Sequence, residues 1–223
     1  MAADLKMSGI GSAAGGVYRL VSIEGVGTVG GSLSCAAFRS NGICTVKGDI
    51  RSDDRLDVNG KLTGEGVVDA PRIAIDGQAT LNGRLRADRI ALNGFATIRG
   101  DVEAEAFDAE GAFAIEGLLN AGTIDAKLQG RSRAGDIGCD RIVVKRSARR
   151  DWSRLLAWLV PLFQPQLSAR TIEGNDVELA ETRADIVRGD RVAIGPGCEI
   201  GEVEYGIELT VHPEAKVGKR TKR

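Results

Sequence analysis

IAIDGQATLNGRLRADR (residues 73–89) and IALNGFATIRGDVEAEA (residues 90–106) are successive copies of one 17-residue unit. Reading outward from them, the same unit begins at Val21, Phe38, Leu56 and Phe107, with one extra residue, Arg55, between two copies. A looser copy, IDAKLQGRSRAGDIGCDR, covers residues 124–141. A fixed period of this length is the mark of a repeat architecture, and it decides the fold before any single motif does. Position 1 holds Val21, Phe38, Leu56, Ile73, Ile90 and Phe107; position 13 holds Leu33, Ile50, Val68, Leu85, Val102 and Leu119. Positions 1 and 3, 7 and 9, and 13 and 15 are mostly apolar or small, each pair spaced by two as on one face of a strand. Between the pairs stand two glycine columns, Gly25 to Gly111 at position 5 and Gly31 to Gly117 at position 11. Both are read as corners, where the backbone takes angles that side chains resist. Asn59-Gly60, Asp76-Gly77 and Asn93-Gly94 are strong turn dipeptides.

Three short strands per lap, each with one inward face, make one coil of a three-faced β-solenoid. Coils stacked at about 4.8 Å satisfy each strand's backbone with the coil above and below. A β-sandwich of short strands does not keep a 17-residue register with glycine at two columns. The expected fold is therefore all-β: a β-helix with 17–18-residue coils, interrupted by a short apolar insert.

The chain has 223 residues, 30 basic and 31 acidic, for a net charge of −1. That balance gives no global field for nucleic acid, and aromatics at 4% are too few for a base-stacking platform. No charged start followed by a long apolar run suggests a secretory leader. No apolar stretch approaches the roughly 20 residues that span a bilayer. Cys35, Cys44, Cys139 and Cys198 are scattered without a CxxC pair, and Cys35 and Cys44 fall on inward columns as small fillers. A reducing, cytoplasmic setting is expected, with no metal and no cofactor.

In chain order, residues 1–16 read as a flexible tail and 17–145 as the β-helix core. The column Thr28, Thr45, Thr63, Thr80 and Thr97 reads as β-propensity on a solvated face. Residues 146–166 are an apolar insert carrying Trp152, Leu155, Leu156, Trp158, Leu159, Leu162 and Phe163. Asp151 caps a possible short helix that Pro161 and Pro165 stop. Two readings of it compete: packing on the coils, or contact with a membrane interface or partner, with Arg146, Arg149, Arg150 and Arg154 meeting anionic lipid. Residues 167–218 resume the grammar with a shorter beat, for two or three more coils, and 219–223 read as a disordered basic tail.

Catalytic machinery is sparse, and no catalytic residue is assigned. The single histidine, His212 in TVHPEAK, is read as a turn residue before Pro213. Its alternative is the general base of a hexapeptide-repeat acyltransferase using coenzyme A. A further alternative is a monomeric adaptor docking a partner or lipid through Trp152–Phe163. What remains is the shape: a rod whose end coils carry unpaired strand edges. Coils that stack within a chain stack between chains, and a heterologous contact that does not close gives a filament. The expected partner is the chain itself. The expected contacts are Val21, Ile23, Val29, Leu33 and Phe38 in the first coil, and Leu209, Val211 and Val217 in the last.

The repeated Ile/Val-x-Gly-x-x-x-Ile/Val-x-Gly-x-Ile/Leu-x-Ala pattern resembles the bactofilins, bacterial polymer-forming cytoskeletal proteins. Here Ile75-Asp76-Gly77, Leu81-Asn82-Gly83-Arg84-Leu85 and Ala87 carry it, with the same columns in neighbouring copies. The resemblance covers residues 21–141 closely and 167–218 loosely. It implies a right-handed β-helix that polymerises through its end rungs without nucleotide. It also implies a scaffold at the inner face of the membrane, serving cell shape, wall synthesis or motility-organ assembly, with membrane lipid and cell-envelope or motility proteins as further partners. The insert at 146–166 departs from the uninterrupted core of that family.

Overall fold

The computed structural model describes residues 2–147 and 165–223. These form β1 (Leu5–Ala13), β2 (Gly16–Val29), β3 (Leu33–Val46), β4 (Ile50–Gly64), β5 (Val68–Asp69) and β6 (Arg72–Leu81). Then come β7 (Leu85–Ile98), β8 (Val102–Ile115), β9 (Leu118–Leu128), β10 (Arg131–Arg133) and β11 (Asp136–Arg146). After the insert follow β12 (Gln166–Leu179), β13 (Thr182–Ile194), β14 (Glu199–Val211) and β15 (Lys216–Lys222). Every pairing is parallel, each strand to the equivalent strand one lap on, so the chain is an all-β solenoid of about 12 turns.

The columns become vertical files. Gly60 pairs with Gly77, and Gly77 with Gly94. Val21, Phe38, Leu56, Ile73, Ile90 and Phe107 stack in order and are all buried. The files at positions 9 and 13 are buried in the same way, and together they form one continuous apolar core along the axis. In that core the rings of Phe107 and Phe113 meet edge to face, centroids 5.4 Å apart. Such a pair contributes about 1 kcal/mol beyond its buried area. The extra Arg55 is absorbed where the register shifts between Cys35 and Ala37. There the buried Ser52 hydroxyl donates to the carbonyl of Arg55 at 2.7 Å, closing the bulge.

The two glycine columns have different causes. At position 5 the chain takes left-handed angles, φ +125° at Gly60 and +129° at Gly77, and a Cβ on Gly77 would lie 2.3 Å from the Gly60 carbonyl oxygen. At position 11 no such angle occurs; a Cβ on Gly83 would lie 2.3 Å from the Gly66 carbonyl oxygen. From Gly48 onward that column is glycine for close approach, not for its angles; Gly31, its first member, has more room.

Three expectations are corrected. Residues 5–13, expected as flexible tail, are a strand: Leu5 pairs with Val21, Met7 with Ile23 and Gly9 with Gly25. The segment repeats the unit's grammar with small side chains, Gly11 and Ala13 standing where others have bulkier ones. Residues 219–222, expected as disordered, belong to β15 and pair with β14. The coils are one stack, not two blocks, because β11 pairs with β9 on one side and with β12 on the other. On either side of residues 148–164, the Ser147 N–H donates to Leu128 O and the Gln166 N–H donates to Gly130 O. After the insert the lap shortens, Leu167 pairing with Thr182, then lengthens again, Ile200 pairing with Val217. Glu181, at φ 50°, turns the short corner.

Candidate functional site

Among the described residues, the first and last rungs are where backbone hydrogen-bonding groups and inward side chains lack a covering coil. At the N-terminal end the inward positions belong to Leu5 and Met7, with Tyr18 on the third side; all three pack against the core and are partly exposed. Ile10 beside them is 90% exposed. Val21, Ile23, Val29, Leu33 and Phe38, expected at this end, are fully buried, because β1 lies over the coil that holds Val21, Ile23 and Val29. The open face is one coil earlier than the sequence suggests, and the signal that marks it is the alternation Leu5-x-Met7 before Gly9.

At the C-terminal end Leu209, Val211 and Val217 are half-buried against the core. Above them the last rung carries Lys216, Lys219, Arg220, Lys222 and Arg223. Three of these cations cap acids of β14: Lys216 to Glu199 at 3.0 Å, Lys219 to Glu202 at 2.7 Å, and Arg223 to Glu204. Glu204 also takes Arg188 from below at 3.2 Å, which in turn reaches Glu173, so acid and base alternate up the stack. The ammonium of Lys216, the ammonium of Lys219 and the guanidinium of Arg223 hold the three β14 carboxyls below the usual glutamate range.

Groups whose folded pKa is depressed stabilise above the ordinary value, and that stabilisation is lost as pH falls through the folded one. Hydrogen exchange of residues 216–222, corrected for intrinsic rates, should show protection that holds down to about pH 5 and is lost below about pH 4. Protection in β7 should not change over that range; equal loss in both strands would show that these pairs do not hold the rung.

The other sequence candidates fall elsewhere. His212 is exposed at a corner, where its Nδ1 accepts the Glu214 N–H at 3.2 Å. Thr28, Thr45, Thr63, Thr80 and Thr97 form one half-buried file. Burial pushes the Cys35 and Cys44 thiols up to about 11 and that of Cys139 up to about 12, away from nucleophilic use. A groove of about 570 Å³ runs past Gly138, Gly174 and Gly189. Its basic residues are already matched, Arg170 by Asp136 and Arg188 by Glu173 and Glu204. Among the described residues no group of three metal-ligating side chains converges, and no helix is long and apolar enough to cross a membrane. The membrane or partner candidates Trp152, Leu155, Leu156, Trp158, Leu159, Leu162 and Phe163 lie outside the described residues.

The chain is similar to two proteins of Bacillus subtilis (strain 168). It is 44% identical over 93 residues to the uncharacterized protein YhbE, and 38% identical over 91 residues to the uncharacterized protein YhbF. Those matches cover 42% and 41% of this chain, and 37% and 35% of the two relatives. The chain thus spans little more than a third of the length of the curated relatives it matches. No family model and no solved structure matches it.

Proposed function

We propose that this chain is a non-enzymatic, bactofilin-like scaffold that polymerises end to end by stacking its terminal coils, with no nucleotide. The observation that carries the reading is the state of the ends. β1 and β15 are each paired on one side only, and partly exposed apolar residues stand at both ends: Leu5, Met7 and Tyr18 at one, Leu209, Val211 and Val217 at the other. Strand edges of this kind are templates for another chain. A contact that repeats the internal stacking adds rungs without closing. In the cell we place such filaments at the inner face of the membrane, in the service of cell shape, wall synthesis or motility-organ assembly.

The test is negative-stain microscopy of purified protein at modest ionic strength, with sedimentation velocity across a concentration series. Filaments about one coil stack wide, lengthening with concentration, are expected. Rods that stay monomeric at high concentration would remove the reading.

A further inference from the structure

We propose that the C-terminal rung is a charge-gated joint, in which Arg220 and Lys222 keep a second copy of this chain off the end until anions screen or match them. This deepens the end-to-end reading and rests on it.

Leu119, Ile137, Ile172, Val187 and Val203 stack in register on the inward side, and all are buried. The next residue in that file is Arg220, paired directly over Val203 and exposed. Lys222 stands likewise over Tyr205, which packs against the core. The change is one of residue type within the stack, from five apolar side chains to a guanidinium. A further coil laid over this rung would enclose both cations. Neither has an acidic partner among the described residues, unlike Lys216, Lys219 and Arg223 beside them.

Enclosing an unpaired cation costs far more than a strand pairing returns, and inward-pointing charge is a known guard of sheet edges. Two such faces brought together would also oppose basic rungs, since the sequence of β15, KVGKRTK, holds no acid. The N-terminal rung has no such guard. Its inward residues are Leu5 and Met7, and Asp4 is already paired with Arg19 at 2.6 Å. The two ends are therefore unequal. A joint that sets an N-terminal face on a C-terminal face forms in proportion to how well the cations of the C-terminal rung are neutralised.

The test compares wild-type protein with Arg220→Leu/Lys222→Thr, and with the milder Arg220→Gln/Lys222→Gln, by sedimentation velocity in sodium chloride. The screening length falls from about 20 Å at about 20 mM to about 4 Å at about 500 mM. Wild type should form short species at the low salt and assemblies several-fold heavier at the high. Both variants should form the heavy assemblies already at low salt, with circular dichroism melts matching wild type. Wild-type assemblies of equal mass at both salts, or variants with the wild-type salt response, would overturn the gate and leave the filament standing. Absence of assembly in every sample would remove the end-to-end reading and the gate with it.

Discussion

A Gly77→Val chain is expected to lose about 3–5 kcal/mol of stability and to come apart at the middle of the rod. Valine at φ +129° sits in a region that β-branched residues almost never occupy. Its Cβ would also lie 2.3 Å from the Gly60 carbonyl oxygen, an atom of the neighbouring backbone that cannot swing aside. Relief requires the two coils to separate, which breaks the Gly60 and Gly77 pairing along with its neighbours Asn59 to Asp76 and Lys61 to Gln78. In a stack where each coil touches only its neighbours, that defect weakens both halves. The matched control is Gly31→Ala, where the nearest atom would be 3.7 Å away and no left-handed angle is needed. Urea unfolding followed by circular dichroism should give a much lower midpoint for Gly77→Val and a near wild-type midpoint for Gly31→Ala. Coincident midpoints would mean that the corner column is not what sets the winding.

The second large effect is on assembly. Leu5→Lys/Met7→Lys should abolish association through the N-terminal face while leaving the rod folded. Both side chains are partly exposed in the single chain, so an ammonium there reaches water. In a joint the same two ammonium groups would be enclosed without partners, at a cost above about 3 kcal/mol, and association should weaken by more than about a hundredfold. Ile23→Lys, one coil further in at a fully buried site, should instead unfold the local stack. Filaments of unchanged length from the Leu5→Lys/Met7→Lys chain would show that this rung is not the joint.

Most of the winding is legible in the sequence because the same physical demand recurs at the same column. Positions 1, 9 and 13 face the axis in every lap, so an apolar residue is required there each time, and repetition averages out the exceptions. The ends are legible only in part, for the opposite reason: each occurs once. Leu5-x-Met7-x-Gly9 obeys the grammar, but Gly11, Ser12 and Ala13 are small enough to pass for an unstructured tail. Lys216 to Arg223 look like a solvated basic tail until the register sets Lys216 over Glu199 and Lys219 over Glu202, partners 17 residues back that no local pattern reveals. The two glycine columns look alike in sequence, yet Gly77 is needed for its angle and Gly83 for its clearance. Composition reports that no side chain fits there and does not report why.

The coils that hold Ser147 and Gln166 are in step, with Ile142 over Ile124 and under Val177. The junction between these coils is indifferent to how much chain joins Ser147 to Gln166, since the entropic penalty for a longer connection grows only with the logarithm of its length. It is thus a natural grafting port. A fluorescent protein or an affinity peptide spliced between these two residues would be displayed at a fixed interval along any assembly the rods make, with no rung displaced.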